Sequence, residues 1–252
     1  MKAKNDTIQT QLLHRTIRSF KNEPIPEELF NQLMEVAKRT PTSNGMQSMS
    51  IINVTDASIK EKIAQVCNQD YVAKAPVLLI FVVDSYRNYK IALENNCDKP
   101  STADMDRFIQ GFTDGCLAAQ NIVVAAESLG LGVNYFGSIL NNPPKICEIL
   151  KLPKLVFPIV GLGIGYPNQE PELKPRFDNQ LRVFENQYVE FDNYMEMIKD
   201  YDKEMNAYYD LRNLNKPLPP FSQQVISKLT NVIEKRQEII KDIKDQGFDL
   251  KL

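Results

Sequence analysis

Histidine occurs once in the 252 residues, at His14. One imidazole excludes a HExxH zinc site. A Ser/His/Asp triad would have to be built on His14, and there is no G-x-S-x-G turn to present the serine. Cysteine is nearly as sparse. Cys67, Cys97, Cys116 and Cys147 stand far apart, with no C-x-x-C pair. That spacing argues against a zinc ribbon or a thioredoxin-type pair and reads as free thiols in a reducing compartment. A charge excess is missing too, since the net charge is −2. No global field draws the chain to nucleic acid or an anionic membrane, so any anion site is local. Long apolar runs are absent: the longest, Ala75 to Val83, is interrupted by Pro76 and falls short of a bilayer span. The first fifteen residues lack the apolar stretch of a secretory signal, and a cytoplasmic protein is expected. Gly130-Leu131-Gly132 and Gly161-Leu162-Gly163-Ile164-Gly165 do not form the G-x-G-x-x-G turn of a Rossmann unit. With histidine acid–base catalysis disfavoured, a bound cofactor is the better carrier of chemistry.

What is present is a core-forming chain, 43% hydrophobic, long enough for one domain with an appendage. Asp6 and Gln9 stand at capping-box spacing before a helix over 6–15. Pro26, Glu27 and Glu28 open a second helix that runs to about Arg39 and stops at Pro41. Strands are expected over 49–55, 77–83, 133–136 and 156–164, and a short helix after the Asp56 cap. Asn142-Pro143 starts another helix. The segment 84–102 is polar and aperiodic, and reads as a loop or lid. Residues 104–129 form the longest helix, apolar on nearly every face toward its end, so buried by the core or by a partner. Beyond about 190 two amphipathic helices are expected, near 196–211 and 222–246, the second capped by Ser222. The whole reads as α+β, a central sheet covered by helices.

Three constellations could carry chemistry. His14-Arg15-Thr16-Ile17-Arg18 puts two guanidinium forks beside an imidazole and a hydroxyl, a set suited to phosphate oxygens. Leu173-Lys174-Pro175-Arg176 flanks a stiff proline with cations. Thr42-Ser43-Asn44-Gly45-Met46-Gln47 offers short donors and close backbone approach. Each alone is also what a solvated surface loop would show.

In order along the chain, these segments resemble the nitroreductase family. The others that carry the resemblance are Gln69, Tyr135-Phe136-Gly137-Ser138, Ala118-Ala119-Gln120-Asn121 and Ala125 to Gly132. Gly163-Ile164-Gly165-Tyr166-Pro167 completes the set. The likeness covers roughly residues 10–212 and is nearest the NADPH-preferring, oxygen-insensitive nitroreductases and flavin reductases. It implies a three-layer α+β sandwich about a mixed, mainly antiparallel sheet. It also implies one domain over 1–252, in which about 190–252 is a helical arm wrapping the partner of a homodimer. FMN, tightly but not covalently bound, would sit at the interface, with NADPH or NADH as hydride donor. His14, Arg15 and Thr16 match the segment that holds the FMN phosphate and ribityl chain. Arg18 matches the cation beside the flavin pyrimidine that stabilises the reduced form. Ser43 and Gln47 match loop residues contributed by the partner subunit, and Gln69 matches an amide on the ring. Tyr135, Phe136, Gly137 and Ser138 match the strand along the isoalloxazine, and Lys174 and Arg176 the phosphate clamp. Arg212 matches a contact to the nicotinamide 2′-phosphate. No side-chain acid or base and no metal is implied. The expected activity is ping-pong hydride transfer to nitroaromatics, quinones or free flavin. A flavin-storage protein, or a flavin reductase dedicated to a partner enzyme, is the alternative.

Overall fold

Val77–Asp84 is strand throughout and apolar in all but its last residue, so it needs cover on both faces. It receives that cover at the centre of a four-stranded sheet. In the computed structural model, which describes residues 4–209 and 217–249, the strands are β1 (Met49–Asn53), β2 (Val77–Asp84), β3 (Gly132–Phe136) and β4 (Val156–Gly165). Their order is β1-β2-β4-β3 and every pairing is antiparallel. Parallel pairing enters as isolated bridges, Thr16 to Val133 on the outer edge of β3 and Asp104 to Asp249.

Two-residue periodicity divides β2 between two cores. Leu79, Phe81 and Val83 turn toward helices α2 (Glu27–Lys38) and α5 (Met105–Ser128). Leu78, Ile80 and Val82 turn toward α3 (Ala57–Cys67) and α6 (Pro143–Ile149). The result is the three-layer sandwich. Helix α1 (Asp6–Leu12) contacts α5, and α4 (Ser85–Glu94) leaves the end of β2.

The chain falls into two units, Met1–Gln169 with Ile233–Leu252, and Glu170–Val232. Within the second, α7 (Tyr194–Met197), α8 (Lys199–Ala207) and α9 (Phe221–Thr230) gather around aromatic contacts among Phe177, Tyr201 and Phe221. Helices α10 (Glu234–Gln237) and α11 (Ile239–Asp245) belong to the first unit, where Ile243 and Phe248 join the core beneath α5.

Local expectations are corrected at four places. Asn5, not Asp6, caps α1 by accepting from the Ile8 N–H, and α1 ends at Leu12. Residues 85–94 are helical, not loop: Asp84 caps α4, but only Ser85 is buried, so no apolar period announces it. The stretch read as one helix over 222–246 is three. Thr230 and Asn231 bond back to the carbonyls of Ile226 and Ser227 and end α9, a local competition that short polar side chains win against helix propagation. Ser222 is not a cap: its N–H and hydroxyl both donate to the Asp202 carboxylate.

Candidate functional site

The edge of β3 gathers most of the residues singled out in the sequence. The segment after α1 runs along it. Thr16 bridges Val133, and the Ile17 N–H donates to the Val133 carbonyl at 2.9 Å. Ile17 turns inward over Gly132, while Thr16 and Arg18 stay half-buried. A Cβ on Gly132 would stand 2.7–2.9 Å from three atoms of Ile17, so glycine is what lets the strap lie this close.

His14 is fixed by α5: its Nδ1 stands 2.6 Å from the Glu127 carboxylate. The ring's other nitrogen, Nε2, is left for a ligand. Arg15 donates from Nη1 to the Leu13 carbonyl, and its Nε is buried with no hydrogen-bond partner. A buried guanidinium N–H in that condition calls for an acceptor. At the far end of β3 the Tyr135 hydroxyl donates to Gln120 of α5 at 3.2 Å. Burial first, then the charges of Cys116 and Glu127, push the Tyr135 phenol well above its ordinary range, so it remains a donor at physiological pH.

Phe136 is buried and its ring fills the space over Gly161 and Gly163. The next residue, Gly137, is exposed, and a Cβ there would meet nothing within 4 Å. Ser138 donates to the Gln69 side-chain carbonyl at 2.8 Å, which turns the Gln69 amide into a donor for something else. The strap thus runs along β3 with Arg15 and His14 toward its start, and Gln69 is tied to Ser138 just beyond its end. That donor set fits a phosphate carried on a flat, hydrogen-bonding ring.

Ser43 and Gln47 lie elsewhere. Their loop makes a short helical turn at Ser43–Gly45 with left-handed residues at Asn44, Gly45 and Gln47. The Ser43 N–H donates to Asp114 of α5 at 2.8 Å. Asp114 and Glu127 are thirteen residues apart on one helix, or about 20 Å at 1.5 Å per residue. Within one chain the loop and the His14 strap thus occupy different stations along α5.

Lys174 and Arg176 are in the second unit. Lys174 is half-buried, Arg176 is exposed and donates to the Pro175 carbonyl, and the Tyr201 hydroxyl reaches the same carbonyl. Arg212 lies outside the described residues. Among the described residues no cluster of His, Cys, Asp or Glu could hold a metal, and no helix is long and apolar enough to cross a membrane.

The sequence reading missed the helix-borne partners: Glu127 for His14, Gln120 for Tyr135, Asp114 for Ser43. All three carried the same signal, a polar residue whose neighbours three and four positions away are mostly apolar, and Asp114 is the most deeply buried. It is 1% exposed.

The profile of the nitroreductase family matches residues 13–166, and that of the nitroreductase family C-terminal domain residues 174–251. The chain is 35% identical to the NADPH-flavin oxidoreductase of Vibrio harveyi, across 97% of this chain and 98% of that one. It is 34% identical to the oxygen-insensitive NADPH nitroreductase of Salmonella typhimurium, across 96% and 98%. Among solved structures, the NADPH:FMN oxidoreductase from Vibrio harveyi complexed with NAD+ superposes with a TM-score of 0.85 at 34% identity, covering 97% and 99%.

Gly132→Ala is expected to lower stability by about 1–3 kcal/mol, because Ile17 must shift to admit the methyl. A thermal melt reads this as a drop in Tm; an unchanged Tm would contradict the close approach of strap and strand.

Proposed function

The chain belongs to the nitroreductase family, and from that premise we propose that it is an NAD(P)H-dependent FMN oxidoreductase whose cradle lies along the edge of β3. The observation that carries this reading is the buried, unpartnered Nε of Arg15 beside a histidine already oriented by Glu127. A net charge of −2 gives the protein no general attraction for anions. His14, Arg15 and Thr16 supply a local one, suited to the phosphate and ribityl oxygens of FMN. Lys174 and Arg176 are assigned to the phosphate on the family pattern.

Bound FMN supplies a two-electron acceptor that takes hydride from a nicotinamide and passes it on. The protein's residues bind and tune. Arg18 places positive charge where the reduced ring carries negative charge. Gln69, its carbonyl occupied by Ser138, offers its amide N–H groups to the ring edge. Gly137 leaves the strand end open for a flat ring. No side chain transfers a proton in the hydride step, which agrees with the single histidine. The kinetics are ping-pong, the oxidised nicotinamide leaving before a nitroaromatic, quinone or free flavin enters. Relatives named for NADPH favour that donor, with Arg212 assigned to its 2′-phosphate.

The cradle is completed by a second copy of the chain, which brings Ser43 and Gln47. The reading is supported by an apolar stripe on α5, with Met105, Ile109, Cys116 and Leu117 exposed in one chain. Such a stripe on a long helix marks an interface.

An anaerobic absorbance spectrum tests the activity. A flavin band that bleaches on adding NADPH, and less rapidly with NADH, is expected. Bound flavin that neither donor reduces would point to a storage protein, and a colourless protein that takes up no FMN would sink the reading. The dimer is tested by alkylation. Native protein should label at exposed Cys97 and spare Cys116, and Leu117→Glu should give a monomer that labels at both. Equal labelling of both thiols in the native protein would contradict the interface.

A further inference from the structure

The loop that carries Ser43 and Gln47 is held from behind by α4, the helix that the sequence concealed. Gln47 has φ +50, a left-handed conformation uncommon for a residue with a side chain. Arg87, in the first turn of α4, holds the carbonyl of this residue. Its Nη2 donates to the carbonyls of Gln47 and Met49. Its Nη1 donates to the Ser50 hydroxyl at 3.1 Å and stands 3.5 Å from the Asp84 carboxylate. Ser50 in turn donates to Asp84, so the guanidinium is itself oriented. The neighbouring Asn88 donates to the Met46 carbonyl at 3.0 Å and to the Ser48 hydroxyl at 3.2 Å.

Three carbonyls in four residues, those of Met46, Gln47 and Met49, are therefore taken by two side chains of one helical turn. The opposite side of the loop is closed by α5. Asp114 accepts the Ser43 N–H, and a Cβ on Gly111 would stand 2.4 Å from the Ser48 carbonyl. The loop is thus bounded by both helices, with Gln47 exposed and Ser43 half-buried.

We propose that Arg87 is a positioning residue of the flavin site: by gripping the Gln47 carbonyl it holds Gln47 in the left-handed conformation from which its side chain meets FMN. This rests on the flavin reading given above. A lysine cannot replace the arginine, because one ammonium cannot span two carbonyls and a hydroxyl in the planar fork that Arg87 uses.

The test is a double-mutant cycle on the holoenzyme, read as the rate at which FMN is released after dilution, followed by free-flavin fluorescence. Arg87→Lys is expected to speed release about five- to tenfold, the scale of losing hydrogen bonds to a charged group at a partly exposed site. Gln47→Gly removes both the amide contact and the backbone strain, and speeds release by itself. Arg87→Lys should then have little further effect in the Gln47→Gly background, because its target is gone. A purely structural role would give equal factors in both backgrounds, and that additivity would overturn the proposal. Asn88→Ala, a milder change that grips the neighbouring carbonyl, keeps the cycle readable if Arg87→Lys impairs folding. It should show the same non-additivity with a smaller factor, and additivity there would equally overturn the proposal. Wild-type protein that retains no FMN would refute the flavin reading itself, a different result from additive losses in a protein that binds it.

Discussion

The close packing of one long helix against one sheet sets the position of everything else. Helix α5 lies on the face formed by Leu79, Phe81 and Val83 because the residues it turns toward them are small or compact. Gly115 fits against Ile159 and Phe81, Gly111 against Ser48 and Val83, and Ala118, Ala119, Ile122 and Ala126 are fully buried. A helix seated this firmly becomes a ruler. It presents four polar groups at fixed heights: Asp114 to the 43–47 loop, Gln120 to Tyr135, Asn121 to Thr40, Glu127 to His14. Four long-range hydrogen bonds thus inherit their geometry from a hydrophobic contact that involves none of those atoms.

The same arrangement is how a protein with almost no net charge would build the anion site proposed for it. The cations of the strap are few, Arg15 and Arg18, and His14 beside them is tied to a carboxylate. Pairing His14 with Glu127 fixes the ring and leaves one nitrogen outward, an orientation gained at the expense of some positive potential. Arg15 keeps a buried N–H for an incoming acceptor. Tyr135, its phenol pushed up by burial, spends its one O–H on Gln120 and so fixes the strand end against α5. The site relies on placed donors in a partly dry edge of the sheet and not on charge density, as suits a cofactor that carries the chemistry itself.

The layers were legible in the sequence because β2 is a continuous apolar run, which needs cover on both faces, and residues 104–129 are apolar on nearly every face toward their end, which requires burial. Helix α4 was hidden for the converse reason: it buries only Ser85, and the side it turns inward mixes Asn88 with Tyr89 and Ala92. The site was legible as an ordered set of short motifs, His14 to Arg18, Gln69 and Tyr135 to Ser138. The groups that hold them were not, since His14 and Glu127 are separated by 113 residues and Gln47 and Arg87 by 40. Such pairings are decided by how helices stack, a property that no local window of residues contains.

The central claim is that a working site is divided between two chains, with the β3 cradle on one and the 43–47 loop on the other. Subunit complementation tests it directly. Arg15→Ala damages the cradle and Gln47→Gly damages the loop, so each homodimer should lose most of its NADPH-dependent reductase activity. A mixed dimer of the two variants keeps one site in which both contributions are intact. Activity that reappears on mixing, toward half that of wild-type dimer per heterodimer, is the predicted result. Mixed dimers, verified by mass, that stay as inactive as their parents would contradict the account and return the loop and the cradle to a single chain.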